Sequence, residues 1–459
     1  MTKVVPTSKE REFRIEELFF STTDRKGIIK TGNSVFRRVA GYEEGEMMGR
    51  PHNIIRHPDM PRCVFRLLWD YLEAGRPIAA YVKNMAKDGG YYWVLATVSP
   101  IDGGYLSVRL KPSTPYHRAV EGLYTELLAI EQAAEAAGKD RKAAMDESTA
   151  RLLAALRTLG FQDYDAFIRV MLPAEMTSRD QQLRAQGKLF DEGSVRVRNE
   201  VEYERLRRIV ESAGALGRYL EGIFLNLDNY ASLNRQLADI SNFLFDLAAD
   251  VRLFSFNAVV SAGHLAAAGA ALGEVASLMC HHSETTSRAI GELATEIGDA
   301  AKVLSDVSFG TSIARLQIEM TLRFAHELLS EEAGKPGRSA AHVLQNNVRS
   351  LAACLDEDIE RLVALPRSLK RVSIKVQSVQ SSLRVLSALQ FNGRVECARV
   401  TEAEGFGVLF DEIGARLSAA TAEIAGLESL TDETGLAARH RAGAGHLGAI
   451  QSNAMRQAA

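Results

Sequence analysis

Residues 51–61 read PHNIIRHPDMP, between VAGYEEGEMMGR (39–50) and the helix-like run CVFRLLWDYL (63–72). Its residue types suit the rim of a cavity. Ile54 and Ile55 are expected to face inward, with Arg56 and His57 toward the mouth. A guanidinium at Arg56 is a strong donor to phosphate or carboxylate. The imidazole of His57 can donate, accept or ligate iron. Pro58 and Asp59 open the next helix, with Asp59 as its cap and Pro61 in the first turn. Further on, YVKNMAKDGGYYWV (81–94) carries Asn84, whose amide stands at the end of a strand.

The flanking chain mixes β-formers with turn signals. LFFSTT (18–23), GIIKTG (27–32), IAAYVKN (78–84), YYWVLATVSP (91–100) and GYLSVRL (104–110) read as five strands. Asp88-Gly89-Gly90 and Asp102-Gly103-Gly104 supply glycine where positive φ is needed. Helical pieces fall between the second and third strands: NSVFRRVA (33–40), EEGEMM (43–48) and MPRCVFRLLWDYLEAG (60–75). Trp69 and Trp93 read as core. Tyr91, Tyr92 and Trp93 alternate faces and cannot all line one cavity.

Asn33, the GY pair, GRPHNIIRHPDMP, VKN and YYW, in that order, resemble the PAS domain of bacterial aerotaxis receptors. The resemblance spans about residues 15–112. It implies an α+β domain: a five-stranded antiparallel sheet with flanking helices and a cavity between one face and the helices. It also implies FAD as cofactor, with Asn33, Arg56, His57, Asp59 and Asn84 as cofactor-binding residues. Haem b, or no cofactor, is the alternative, since some related PAS domains bind haem. The family has Trp where this chain has Ile78, a departure at the ring-contacting strand. Aerotaxis receptors carry a membrane anchor after this domain, but Ala119–Ala137 is too polar to serve as one.

The 459 residues allow two to four domains. A net charge of −3 implies no bulk attraction to nucleic acid. The four cysteines are scattered and fit free thiols in a reducing compartment. Neither a signal peptide nor a run of about 18 apolar residues is found, so a cytoplasmic location is expected.

From Pro115 onward the chain reads as an all-α helical bundle or coiled coil, with apolar residues three and four apart. Residues 113–220 form a helical linker region, 221–330 a first hairpin and 341–440 a second, with EEAGKPGRSA (331–340) between the two hairpins. Residues 251–279 and 386–413 are copies of one pattern, and both resemble the hairpin tip of methyl-accepting chemotaxis receptors. The second copy keeps Asn392, Glu396, Ala398, Arg399, Glu402, Gly405, Phe406, Asp411 and Glu412. The first keeps Asn257 and Ala258 but has Ser261 and His264 where Glu and Arg are expected. This resemblance implies two hairpins paired in one bundle, with Glu396 and Arg399 as partner-binding residues toward a chemotaxis histidine kinase and its coupling protein.

Other motifs fail on context. Cys280-His281-His282 are consecutive on a helix and cannot converge on one metal. GAGHLG (443–448) has no strand before it. No nucleotide or hydrolase motif stands in a usable setting, so no enzyme is expected. The expectation is a signal transducer for redox or oxygen, of possible homo-oligomeric form, signalling through a receptor-like bundle. The rivals are a cofactor-free PAS module for interaction or dimerisation, and a degenerate receptor that senses nothing.

Overall fold

The structure is a computed structural model that describes residues 4–187, 239–240, 242–260, 270–329, 338–399 and 404–431. Ser261, His264, Glu402 and most of the 331–340 linker lie outside the described residues. The chain forms two compact units. Among the described residues the first takes in 4–187, 308–329 and 338–358; the second takes in 239–240, 242–260, 270–307, 359–399 and 404–431.

The first unit is built on β1 (Phe19–Asp24), β2 (Ile29–Gly32), β3 (Ile78–Met85), β4 (Tyr91–Ile101) and β5 (Gly104–Leu110). These are the five segments expected from β-former content. They pair in the order β2-β1-β5-β4-β3, every pair antiparallel. Between β2 and β3 lie α1 (Ser34–Ala40), α2 (Glu44–Met47), a 3-10 turn (His52–Ile55) and α3 (Arg62–Glu73). The β4–β5 turn needs its glycines. Gly103 has φ 78°, and a Cβ on Gly104 would stand 1.8 Å from the Thr23 carbonyl oxygen.

Strand alternation gives the sheet two faces. Ser21, Val82, Asn84, Ala96, Val98, Ser107 and Arg109 share the face toward α3. Phe20, Tyr81, Leu95, Leu106 and Val108 share the other. The run WVLATV in β4 is apolar on both sides, as a strand covered on both faces must be. The second face is indeed covered, by α4 (Pro115–Ala136), α6 (Tyr164–Ala185) and residues 308–329 of α8 (Ala270–Leu329). Tyr124 Oη donates to the Tyr81 carbonyl at 3.1 Å, and Tyr164 Oη to that of Ala79 at 2.9 Å. Gln317 Nε2 donates to Ser99 Oγ at 3.0 Å, and Phe324 meets Phe20 edge-on at 4.6 Å. Helix α5 (Arg141–Thr158) packs on α4 and α3. The expected boundary at residue 112 therefore does not end this unit: the helices that follow, and residues 308–329, complete the cover of the sheet.

The second unit contains α7 (residues 242–260), residues 270–307 of α8, and a hairpin of residues 359–397 of α9 (Arg338–Cys397) with α10 (Glu404–Thr431). Ser283 Oγ donates to the Ala248 carbonyl, joining α8 to α7. Gln390 Nε2 donates to the Phe410 carbonyl at 2.7 Å, joining α9 to α10, and Gly393 admits the Phe410 ring. Arg371–Glu296 and Lys375–Glu292 tie α9 to α8, and Arg416–Asp250 ties α10 to α7. The two sequence copies share one burial pattern. Val251 and Leu386, Ser255 and Gln390, and Ala258 and Gly393 are all buried, whereas Phe256 and Phe391 are 60% and 64% exposed.

Candidate functional site

A cavity of about 330 Å³ lies between the first face of the sheet and α3. That is the lower end of the range of about 300–1,000 Å³ for small-molecule sites. Apolar walls come from Ile55, Phe65, Leu68, Trp69, Leu72, Val82, Ala96 and Val98. The polar lining comes from Ser21, Lys26, His52, Asn53, Arg56, Asn84, Ser107 and Arg109.

Arg109 is the most unusual of these. It is 3% exposed, and its partners among the described residues are neutral: Nη2 donates to Ser21 Oγ at 2.9 Å and to His52 Nε2 at 2.6 Å, and the Phe36 ring lies beneath. Burial pulls its pKa down to about 10, so the guanidinium stays charged at neutral pH. A guanidinium only donates, so His52 Nε2 accepts and the ring proton sits on Nδ1. Burial first, and the Arg109 charge second, push the His52 pKa down to about 3. His52 is therefore a fixed neutral acceptor.

Among the described residues, three buried polar atoms of the lining have no hydrogen-bond partner: Asn84 Nδ2, Ser107 Oγ and Arg109 Nη1. Leaving such groups unpaired costs about 1–3 kcal/mol each, more for a charged one. All three stand on one sheet face around one cavity, so the chemistry they fit is a ligand edge rich in hydrogen-bond acceptors. The apolar walls fit a flat ring, and Lys26, Asn53 and Arg56 add donors suited to phosphate. This donor set fits a flavin. Haem is a poorer match, because the imidazole that lines the cavity, His52, has its Nε2 committed to Arg109 and Ser21.

Of the residues singled out in the sequence, Arg56 and Asn84 line the cavity and are bridge partners across the backbone. Arg56 stacks over Phe65 at 4.1 Å and donates to the Met60 carbonyl at 3.0 Å. Burial lowers its pKa. Asn33, His57 and Asp59 stand outside the lining. Asn33 is the N-cap of α1: its Oδ1 accepts from Phe20 N and Phe36 N, and its Nδ2 donates to the Leu18 carbonyl. Its polar atoms thus have backbone partners already. His57 is buried, its Nδ1 accepts from Asp59 N at 3.1 Å, and burial lowers its pKa. Asp59 does not cap α3; that position belongs to Pro61, and Asp59 instead pairs with Lys83 at 2.7 Å. Trp69 lines the cavity, contrary to its reading as core, whereas Trp93 is buried on the covered face beside His117 and Tyr124. His52, Ser107 and Arg109 were not singled out. For Ser107 and Arg109 the signal was an arginine and a serine alternating with Leu106, Val108 and Leu110 in a short strand.

At the other candidate site, Glu396 and Arg399 form an ion pair at 2.7 Å at the end of α9, with the Arg399 side chain 69% exposed. Among the described residues, no helix is long and apolar enough to cross a membrane.

Residues 29–108 match the family model of the PAS fold. The aerotaxis receptor of Escherichia coli (strain K12) is 42% identical over 112 residues, which cover 23% of this chain and 22% of the receptor. The nitrogen fixation regulatory protein of Klebsiella pneumoniae is 27% identical over 81 residues, covering 18% and 16%. The chain thus spans about a fifth of the length of these curated relatives. Among solved structures, a light-oxygen-voltage domain from a flavin-analogue study matches with a TM-score of 0.22 and 23% identity, over 23% of this chain and 85% of that one. The five-stranded sheet and the helices that wall its cavity are a PAS fold, similar in sequence to that of an aerotaxis receptor.

Proposed function

We propose that the chain is a sensory transducer whose PAS cavity holds FAD and reports redox state or oxygen. The observation that carries this reading is the set of unpaired buried atoms, Asn84 Nδ2, Ser107 Oγ and Arg109 Nη1, converging on one apolar-walled cavity. FAD would supply a reversible electron acceptor. The protein's part is to bind and orient. Asn84 and Arg109 donate to the ring's acceptor edge, and Ser107 offers a hydroxyl beside them. Trp69, Leu68, Val82 and Val98 exclude water from its faces. Arg56 and Lys26 attract the phosphates. The Arg109 charge lacks a carboxylate partner, so it favours an occupant that gains negative charge on reduction. Asn84 is the natural side chain to re-aim when that edge changes from acceptor to donor, because an amide can present either group.

The output proposed is the helical region, acting on a chemotaxis histidine kinase and its coupling protein in the cytoplasm. Two features support it: the likeness to an aerotaxis receptor and the exposed apolar side chains Phe256, Val260, Phe391 and Val395 in matching positions of the two copies. The role is sensory rather than catalytic. The deciding experiment is a visible spectrum of the purified full chain, with identification of any released chromophore. Flavin absorption, and FAD on release, support the reading. A Soret band would replace flavin by haem. A colourless protein that stays colourless after incubation with FAD would leave a cofactor-free interaction module. For the output, Glu396→Lys should weaken capture of the kinase and coupling protein at least tenfold. Undiminished capture would remove Glu396 from the contact.

A further inference from the structure

Two helices of the first unit start without a cap of their own. α3 begins after Pro61, which has no polar side chain, and the Thr114 hydroxyl makes no capping bond at the start of α4. A buried glutamate from another helix caps α3, and a second holds the two residues that lead into α4. Glu131 of α4, 1% exposed, accepts from Arg62 N at 2.8 Å, Cys63 N at 2.9 Å and Ser148 Oγ of α5 at 2.9 Å. Glu175 of α6, 0% exposed, accepts from Ser113 N and Oγ, each at 2.7 Å. It also accepts from Thr114 N at 3.2 Å, Thr114 Oγ1 at 2.7 Å and Tyr81 Oη of β3 at 2.6 Å. One turn further along α6, Arg179 grips Glu319 of α8 through Nη1 and Nη2, each at 2.7 Å, and Asp180 pairs with Arg315.

We propose that Glu131 and Glu175 form a relay that couples what fills the cavity to the position of residues 308–329. The cavity side of α3 carries Phe65, Leu68, Trp69 and Leu72, so a change of occupant pushes on this helix first. The backbone donors at its start are held by Glu131. A buried carboxylate cannot release its donors cheaply, since an unpaired buried charge costs far more than a neutral group. α4 must therefore follow α3, where an apolar contact could slip. The start of α4 is held in turn by Glu175, which also holds Tyr81 on the outer side of β3; Val82 and Asn84 of the same strand face the cavity. Both inputs, helix and strand, thus converge on α6, and Arg179 and Asp180 pass the shift to 308–329. Negative charge beside a helix's N-terminus is favourable besides, so each glutamate has a defined seat.

The use of FAD as an input rests on the proposed function; the relay itself does not. The test is hydrogen exchange of residues 308–329 in the full chain under two inputs. One is FAD, with occupancy read from bound absorbance. The other is Trp69→Ala, which empties part of the wall without any cofactor. In the native background each input should change exchange at 308–329 by about threefold or more. In Glu131→Gln, and separately in Glu175→Gln, that response should fall to background, while FAD affinity stays within about twofold of native. Should either variant fold poorly, Ser148→Ala and Tyr81→Phe each remove one donor and leave the carboxylate seated; both should reduce the response. A full response in these variants, or no response to either input in the native chain, overturns the relay. A response to Trp69→Ala that needs Glu131, in a chain that takes up no FAD, keeps the relay and removes the flavin.

Discussion

Arg109 shows how one side chain can commit a cavity to a class of ligand. Its charge is held among neutral partners, and one nitrogen still lacks an acceptor. Arg109→Ala and Asn84→Ala should each weaken FAD binding by about tenfold or more, since a hydrogen bond from a charged group is worth about 1.5–3 kcal/mol and a buried amide somewhat less. Asn33→Ala is the contrast. Losing that N-cap should cost about 1 kcal/mol of stability and leave FAD affinity unchanged, as flavin titration beside urea unfolding would show. His52 gives a pH prediction. Its folded pKa of about 3 lies below the unfolded value of about 6.5. Between the two, the unfolded chain binds the extra proton. The stability is present above pH 6.5 and is lost as pH falls toward 3, at about 1.4 kcal/mol per unit. Urea midpoints at pH 7 and 5.5 should differ in the native chain and less so in His52→Gln. An equal difference in both would remove His52 as the source. Arg56 and Asn84 were legible because they sit in a recognisable motif. Arg109 and Ser107 were not, because in GYLSVRL the polar set reads as the solvent side until both faces of the sheet are known to be buried.

The elements were more legible than their ends. The five strands stand where β-former runs and glycine turns put them, because alternation and turn chemistry are local. Capping was not local. Asp59 is near α3 in sequence, but the acceptor for the start of α3 is Glu131, which no local pattern could name. Turn glycines can be tested directly. Gly104→Ala would drive a Cβ into the Thr23 carbonyl and should cost about 1–3 kcal/mol or more. Gly122→Ala meets nothing within 4 Å on α4 and should add about 0.5–1 kcal/mol. Urea denaturation of the two variants checks both signs; a neutral Gly104→Ala would mean that the turn opens freely.

For the molecule as a whole, composition separated an α+β part from a helical part, and the heptad-like spacing announced packed helices. It did not announce which helices serve which part. Residues 308–329 read as an arm of the first receptor-like hairpin, yet they close the sheet of the first unit. Their partners are single contacts, Phe324 on Phe20 and Gln317 on Ser99, that carry no sequence period. The firmest link is Arg179, 1% exposed, which binds Glu319 and the carbonyls of Ile15 and Glu16 at once. Arg179→Met should destabilise the first unit by about 3–5 kcal/mol, as expected when one partner of a buried ion pair is removed. A shift under about 1 kcal/mol in calorimetry or urea would show that the clamp is solvated in solution.

The sheet's second cover also sets a timetable. β5 ends at Leu110, but residues 308–329 are made some two hundred residues later. At about 5–20 residues per second, the ribosome takes roughly ten to forty seconds to cover that stretch. Throughout that interval Phe20 and the neighbouring outer-face residues of the newborn sheet lack the cover of residues 308–329. The protein must therefore spend part of its synthesis with an apolar strip open to chaperones or to a neighbouring nascent copy.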